Sequence, residues 1–276
     1  MSAEPALATS LFADRLAEAV EHKHSQLIVG LDPRPDLLPV ELVGDVQVDR
    51  AAAAEGCARF CRGIVDAVAP YVVGVKPQLA FFEALGAEGF RAFEDACAYA
   101  RAAGLLVIAD AMTVNGYLGR DSLEPFVAAC RRNGTGFFCV VKTSNEGGAD
   151  VQDLVLSDGR PLWHHMARMV HELGEELIGS RGLSNIGAVV GATHPRAVGE
   201  ARRLMPQAVL LLPGVGAQGA TPADLARAFT SGPASALVNA SRSVLYAFRS
   251  ATEDWRTAAA LEAARLQREV WSVSGW

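Results

Sequence analysis

The sequence predicts a single α/β domain over residues 1–276, folded as a (β/α)8 TIM barrel. Short apolar runs alternate with longer helical patterns along the whole chain, which is typical of parallel strands joined by crossover helices. Eight such runs can be counted, and eight parallel strands favour a closed barrel over an open sheet. No linker, repeat or low-complexity segment divides the chain.

Composition excludes several classes of function. The net charge of -6 argues against nucleic acid as a partner. No apolar run reaches membrane-spanning length, and the N-terminus lacks the pattern of a signal peptide, so we expect a cytoplasmic protein and no membrane partner. His164, His165 and His171 fall on one predicted helix without a nearby carboxylate or cysteine pattern. They indicate a solvated helix face, and no metal is predicted.

The elements follow in a regular order. A leading helix begins after Ser10, an expected N-cap. The predicted strands are Gln26–Leu31, Tyr71–Val75, Leu105–Ala109, Ala111–Val114, Gly136–Val141, Ile186–Val190, Val209–Leu212 and Ala236–Val238. The predicted helices between and after them are Asp49–Val68, Leu79–Ala103, Ser122–Arg132, Leu162–Ile178, a helix ending at Leu204, one opening at Thr221, and Asp254–Val270.

The alternation breaks between the third and fourth runs. Parallel neighbours need a crossover of about a dozen residues or more, yet Leu105–Ala109 and Ala111–Val114 are separated only by Asp110. Either Leu105–Val114 is one long strand, or the crossover between strands 3 and 4 is missing from this chain. The sequence leaves both interpretations open.

Two successive strand ends predict a phosphate site. Val209–Leu212 runs into the glycine-rich turn Pro213–Gly219, and Ala236–Val238 runs into Asn239–Arg242. Backbone N–H groups of such turns and a forked guanidinium bind phosphate well, and barrels build this site after strands 7 and 8. An ordinary tight turn is the alternative.

Other strand ends carry charge. Lys76 with Asp110 or Asp32 makes a plausible charge array at the cleft, although a structural ion pair fits equally well. Thr143, Ser144 and Asn145 could contact a ring substrate or simply form a turn.

Six segments together resemble the orotidine 5'-phosphate decarboxylase family, in its longer bacterial branch. They are Val29–Arg34, Val75–Glu83, Lys142–Asn145, Val190–Thr193, Pro213–Gly219 and Asn239–Arg242. The resemblance implies a phosphate-binding (β/α)8 barrel that works as a homodimer without metal or organic cofactor. It implies conversion of orotidine 5'-phosphate to UMP and carbon dioxide.

The resemblance also assigns roles to residues. Asp32 would hold ribose hydroxyls, Lys76 would join the charge array beside the scissile carboxylate, and Ser144 would contact the pyrimidine. Gln218, Arg242 and backbone N–H groups near Gly216 would hold the phosphate.

The chain departs from the family at the break already noted. The family's third strand ends in Asp-Ala-Lys-Arg-Gly-Asp, whose lysine donates the proton, and a helix follows. Here Met112-Thr113-Val114-Asn115 matches the family's fourth strand directly after Asp110-Ala111. The segment with the lysine is therefore predicted to be absent, and Asp110 can belong to either side of the junction.

Three interpretations of function remain open. The chain is a decarboxylase that lacks its proton donor and is not expected to turn over at near-normal rates, or it is an inactive barrel that still binds UMP-like nucleotides. A sugar-phosphate lyase or aldolase is a third class, which the patterns at Thr143–Asn145 and Gly214–Gly219 disfavour. The loss could be natural or could come from the gene assembly.

Overall fold

The computed structural model describes residues 11–43, 49–108, 113–216 and 218–276. Its strands are β1 (Leu27–Leu31), β2 (Gly74–Pro77), β3 (Leu106–Val107), β4 (Thr113–Asn115), β5 (Phe137–Lys142), β6 (Ser184–Val190), β7 (Ala208–Pro213) and β8 (Ala236–Ala240). Its α-helices are α1 (Phe12–Lys23), α2 (Val40–Val43), α3 (Arg50–Val68), α4 (Leu79–Glu83), α5 (Gly86–Ala102), α6 (Arg120–Asn133), α7 (Ala149–Gln152), α8 (Leu162–Gly174), α9 (Pro195–Leu204), α10 (Arg242–Leu245) and α11 (Trp255–Ser274).

The chain divides into two compact units, and each is described by itself. The first, here named the β2 unit, comprises Lys23–Ala111 and Asn239–Val270. The second, named the β6 unit, comprises Met1–His22, Met112–Val238 and Trp271–Trp276. Strand β8 passes from the second to the first after Val238.

In the β2 unit the strands run in the order β3-β2-β1, all parallel. Helix α3 begins at Asp49, whose side chain accepts the N–H of Ala51 as an N-cap. The ring of Trp255 lies over α3, 5.1 Å from the ring of Phe60. A Cβ at Gly63 would come within 2.2 Å of the Trp255 ring, so only glycine permits this approach. The aromatic pair closes the core of this unit.

In the β6 unit the strand order is β4-β5-β6-β7-β8, and β4 to β7 pair in parallel. Every residue of β6 is buried, which is expected of a strand covered on both faces. Helix α8 places Trp163, Ala167 and Val170 in the core, because these positions recur at helical spacing on one face. Strand–helix alternation with parallel pairing gives the chain the (β/α)8 barrel class of fold and confirms the predicted class.

The junction between β3 and β4 is short. β3 ends at Val107 and β4 begins at Thr113, whereas a crossover between parallel neighbours takes about a dozen residues or more. The described residues give β3 and β4 as separate strands, and the absence of a crossover segment stays a prediction. Asp110 and Met112 lie outside the described residues. The single-domain assignment of residues 1–276 stays a prediction.

Three predicted helices differ from those observed. The predicted helix Leu79–Ala103 is two helices, α4 and α5, because Gly86 takes a φ of +72 at their junction. The segment predicted to open a helix at Thr221 is a 3-10 helix, Pro222–Phe229, although its Thr221–Asp224 capping box is present. The predicted helix to Ile178 ends at Gly174 and continues as a 3-10 turn, Glu175–Leu177.

Candidate functional site

Three loops meet at the strand ends of the β6 unit. The N–H of Gly191, after β6, donates to the carbonyl oxygen of Lys142 at 2.8 Å. The N–H of Ala192 donates to the carbonyl oxygen of Pro213 at 2.8 Å. The hydroxyl of Thr193 donates to the carbonyl oxygen of Ser144 at 3.1 Å. The loop after β6 is therefore hydrogen-bonded to the ends of β5 and β7.

Two glycines let these loops approach closely. A Cβ at Gly191 would lie 2.6 Å from the Cα of Ser144. Gly214 has a φ of +110, and a Cβ there would lie 2.8 Å from Oε1 of Gln218 and 3.5 Å from the Cβ of Ser144. The predicted ligands Ser144 and Gln218 thus come together beside Gly214, although 74 positions separate them in the chain.

The glycine-rich turn after β7 is closed by its own hydrogen bonds. The N–H of Gly216 donates to the carbonyl oxygen of Ala220 at 3.0 Å, and the N–H of Gly219 donates to that of Gly216 at 3.0 Å. Gly216 has a φ of +77, which an L-side chain rarely adopts. Because the N–H of Gly216 is already engaged, a phosphate donor in this turn has to come from a neighbouring residue.

Gln152 fixes the backbone next to Ser144, a role that the sequence did not reveal. Its Oε1 accepts the N–H of Thr143 at 2.9 Å, and its Nε2 donates to the Thr143 hydroxyl at 2.8 Å. Lys142 is buried at the end of β5, and its Nζ lies 2.6 Å from Oδ1 of Asp153. The last residue of the short helix α7 and the residue after it therefore supply both partners of this loop, and no pattern in the sequence marks them.

In the β2 unit, Asp32 and Lys76 lie on the same face of neighbouring strands. Lys76 is in register with Gly30, and Asp32 follows Gly30 by two positions, so all three share one side of the pleat. A Cβ at Gly30 would lie 1.9 Å from Oγ of Ser241 and 3.2 Å from Oδ1 of Asp32. Nζ of Lys76 donates to Oε1 of Gln78 at 2.8 Å.

Tyr246 holds the loop after β1 from the other side. Its hydroxyl donates to the carbonyl oxygen of Asp32 at 2.9 Å and accepts the N–H of Arg34 at 3.0 Å. Burial raises the pKa of Tyr246 to about 12, while the hydrogen bond from Arg34 acts in the opposite direction. No pattern in the sequence marks this residue, which lies more than 200 positions from its partners.

Arg242 is exposed and is the first residue of α10. Ser241 precedes it as the N-cap position, and Nδ2 of Asn239 donates to the Ser241 hydroxyl at 3.4 Å. The β2 unit thus carries Asp32, Lys76 and Arg242, and the β6 unit carries Ser144, Gly216 and Gln218. Asp110, the remaining predicted site residue, lies outside the described residues.

Two further features bear on the class of site. Among the residues that the structure describes, no three His, Cys, Asp or Glu side chains are grouped as a metal site. His164, one of the three histidines on α8, has its Nε2 3.2 Å from Oε1 of Glu200. Over the same described ranges, no helix has the length and hydropathy needed to cross a membrane.

In each unit, polar residues stand at the carboxyl ends of parallel strands, which is where enzymes of the (β/α)8 class carry their active sites. Comparison with known proteins identifies the family. Residues 108–256 match the family model "Orotidine 5'-phosphate decarboxylase / HUMPS family". Relatives named orotidine 5'-phosphate decarboxylase are 40% identical over 272 residues in Rhodopirellula baltica and 41% identical over 281 residues in Roseiflexus castenholzii.

These matches cover most of each chain. The alignment covers 86% of this chain and 89% of the Rhodopirellula baltica protein, and 94% and 96% respectively for Roseiflexus castenholzii. A crystal structure from Streptomyces avermitilis, provisionally assigned as orotidine 5'-phosphate decarboxylase, superposes with a TM-score of 0.77 at 33% identity and covers 98% of both chains. The chain belongs to the orotidine 5'-phosphate decarboxylase family.

Proposed function

We propose that this chain binds orotidine 5'-phosphate and converts it to UMP and carbon dioxide in pyrimidine biosynthesis, at a rate far below that of a complete family member. The observation that carries the substrate is the meeting of Ser144 and Gln218 beside Gly214. A hydroxyl and an amide at one strand-end cleft suit a pyrimidine ring next to a phosphate group. The names of the relatives support the same substrate.

The binding roles follow from the chemistry of each side chain. Ser144 contacts the pyrimidine, and Gln218 and N–H groups near Gly216 contact the phosphate. Arg242 adds a guanidinium, which forms two charge-assisted hydrogen bonds to phosphate oxygens. Asp32 accepts from the ribose hydroxyls, and its loop is held in place for this by Tyr246.

Lys76 and Asp110 supply the catalytic charges in this proposal. A fixed carboxylate beside the substrate carboxylate destabilises the bound substrate more than the transition state, because the substrate loses its charge as carbon dioxide leaves. Lys76 stabilises the negative charge that develops on the ring, and water supplies the proton that takes the place of the departing carbon dioxide. No metal or organic cofactor enters the scheme.

The low rate follows from the absent proton donor. Met112 stands directly after Asp110-Ala111 and has no proton to donate. The loss of a general acid typically costs about 10²–10⁴-fold in rate. The alignment with the Roseiflexus castenholzii relative spans 281 positions, whereas this chain has 276 residues of which 94% are covered, so the alignment contains gaps in this chain.

The second candidate is an inactive barrel that binds UMP-like nucleotides without turnover. Met112 is again the observation that favours it, because binding requires only Ser144, Gln218 and the phosphate contacts. The two candidates differ in carbon dioxide release and agree in UMP affinity, so one pair of measurements separates them.

The test compares this chain with a version in which the corresponding segment of the Rhodopirellula baltica relative is inserted between Asp110 and Met112. A third version carries the same insert with its lysine replaced by alanine. Carbon dioxide release from orotidine 5'-phosphate and UMP affinity are measured for each. We expect all three to bind UMP, and turnover to rise by at least about 100-fold only with the intact insert.

Each other result changes the assignment. If this chain releases no carbon dioxide but binds UMP, the inactive-barrel candidate is correct. Turnover within tenfold of the intact insert would show that another residue, Lys76 first, donates the proton. If neither this chain nor the insert version binds UMP, the proposed substrate is wrong.

We also propose that the chain is a cytoplasmic homodimer. Its five cysteines are free and buried, as expected of a protein in a reducing compartment. Tyr117 and Leu118, after β4, are 75% and 79% exposed. Tyr117 also lines an apolar groove with Val151 and Trp163. A second copy would cover this surface.

Sedimentation should show a monomer for Tyr117→Glu/Leu118→Glu and a dimer for the control Leu261→Glu.

A further inference from the structure

A cleft of about 630 Å³ lies between α9 and the 3-10 helix Pro222–Phe229, within the β6 unit. It shares no residue with the strand-end cluster around Gly214. Arginine is its dominant side chain. The lining residues are Arg196, Gly199, Glu200, Arg202, Arg203, Arg227 and Thr230.

Three of these arginines are exposed and have no counter-charge. Arg196 and Arg203 lie seven positions apart on α9 and therefore project from one side of that helix. Arg227 reaches the cleft from the opposite wall. Among the described residues, no carboxylate forms an ion pair with any of the three. Arginines elsewhere are commonly paired, as Arg62 is with Asp95 and Arg181 with Glu21.

Gly199 allows the two walls to meet. A Cβ at this position would lie 2.9 Å from Cδ of Arg227 and 3.7 Å from its Nη1. The Arg227 side chain therefore lies across α9 between the turns that carry Arg196 and Arg203. All three guanidinium groups face the same cleft as a consequence.

The floor of the cleft is a buried cation. Arg202 is 4% exposed, and its guanidinium donates to the carbonyl oxygens of Ala228 at 3.0 Å, Ala208 at 2.8 Å and Ser235 at 2.5 Å. Carbonyl groups satisfy its donors but leave its full positive charge. These bonds also fix α9 against the 3-10 helix, so the cleft is formed before any ligand binds.

The single acidic residue in the lining does not neutralise this charge. Oε1 of Glu200 lies 3.2 Å from Nε2 of His164 and is directed to that partner. Four arginines therefore face one carboxylate in a protein whose net charge is -6. A local excess of positive charge within an acidic protein indicates a site for an anionic ligand.

We propose that this cleft binds a linear polyphosphate group, as found in inorganic triphosphate or in the triphosphate of a nucleotide. Arg196 and Arg203 are about 10 Å apart along the helix axis, so one ligand that contacts both has to be longer than a single phosphate. Guanidinium groups bind phosphate oxygens in pairs of hydrogen bonds, which favours a ligand with several such oxygens.

The two possible ligands, inorganic triphosphate and a nucleoside triphosphate, differ in that only the nucleotide carries a base. Among the described residues no aromatic side chain lines the cleft, so none is present there for a nucleobase to stack on. Inorganic triphosphate and nucleoside triphosphates should therefore bind with equal affinity. If a nucleoside triphosphate binds clearly more tightly than inorganic triphosphate, the base also contacts the protein, and the nucleotide is the ligand.

The experiment is a calorimetric titration of the full chain with sodium triphosphate at low salt, without divalent metal. The variant Arg196→Gln/Arg203→Gln/Arg227→Gln is compared with Arg101→Gln/Arg132→Gln/Arg268→Gln, which changes the net charge equally at exposed arginines elsewhere. Arg242→Gln controls for binding at the strand-end phosphate site. We expect the dissociation constant to rise at least about tenfold in the first variant only.

Every other result overturns the proposal. An equal loss in the charge-matched variant would mean non-specific attraction, and a loss in Arg242→Gln would place the anion at the strand ends. Circular dichroism reports whether the triple variant folds, and the single Arg203→Gln variant is titrated if it does not. An unchanged affinity in a folded cleft variant contradicts the site, whether or not the chain decarboxylates orotidine 5'-phosphate.

Discussion

The hydroxyl of Tyr246 donates to the carbonyl oxygen of Asp32 at 2.9 Å. The Tyr246 hydroxyl oxygen also accepts the N–H of Arg34 at 3.0 Å, so one phenol engages two backbone groups of the loop after β1. Asp32 is the predicted ligand of the ribose. The position of its backbone therefore depends on a side chain that is distant in the sequence.

Tyr246→Phe should remove both hydrogen bonds and keep the ring. The backbone groups of Asp32 and Arg34 lose their partner, which typically costs about 1–3 kcal/mol in the free energy of unfolding. Urea unfolding measures this loss. Tyr99→Phe is the matched control, because the Tyr99 hydroxyl bonds only Asp66 at the surface, and it should change the free energy by less than about 0.5 kcal/mol. Equal effects of the two changes would contradict the role of Tyr246.

The same tyrosine predicts a loss of stability at alkaline pH. The pKa of Tyr246 is raised by burial from 10.0 to about 12, so the unfolded chain loses this proton first. The stabilising contribution is complete below pH 10 and falls as the pH rises towards 12. Between these values the free energy of unfolding should decline more steeply for this chain than for Tyr246→Phe. If the free energy of unfolding falls with pH equally in this chain and in Tyr246→Phe, the phenol does not titrate as described.

Gly191→Ala should damage the strand-end cluster of the β6 unit. The new Cβ would lie 2.6 Å from the Cα of Ser144, and backbone atoms cannot rotate away as a side chain can. Such overpacking costs about 1–3 kcal/mol, and the displaced Ser144 should weaken UMP binding. Gly147→Ala in the loop after β5, which carries Ser144, is the control, because the nearest neighbour of its Cβ would be 3.6 Å away. The free energy of unfolding and the UMP affinity are measured for both variants. If the two variants bind UMP with equal affinity, Ser144 is not a ligand.

Arg202→Met should be far more destabilising than Arg203→Met. Arg202 is buried, and its removal leaves the carbonyl oxygens of Ala208, Ala228 and Ser235 without their donor, at a cost of about 3 kcal/mol or more. Arg203 is exposed, and its loss should cost less than about 0.5 kcal/mol. Thermal unfolding of the pair measures the difference. Similar melting temperatures would mean that the carbonyl groups find other donors.

The fold class was predictable because it depends on local patterns. Each strand is a short apolar run, and periodicity within about ten residues separates it from a helix. The break between α4 and α5 was missed because it depends on the positive φ of Gly86, the first residue of α5, and the helical pattern continues on both sides. The 3-10 helix Pro222–Phe229 was missed because its capping box is the same as that of an α-helix.

The candidate site was predictable only where its residues follow strands. Ser144, Gln218, Lys76 and Asp32 stand at or just after strand ends, and that position marked them. Tyr246 and Gln152 act through contacts with residues outside any local pattern, so their roles appear only in three dimensions. The hydrogen bond that engages the N–H of Gly216 was hidden for the same reason.

Arg242→Ala should weaken UMP binding and leave uridine binding unchanged. The guanidinium is proposed to contact only the phosphate, and one charge-assisted contact contributes about 1.5–3 kcal/mol, or roughly 10- to 150-fold in affinity. Titrations of both ligands with this chain and the variant measure the ratio. Arg249→Ala, another exposed arginine of the β2 unit, is the control and should alter neither affinity. If Arg242→Ala weakens both ligands equally, Arg242 acts on the shape of the site, and the phosphate contact has to be assigned to the turn after β7 alone.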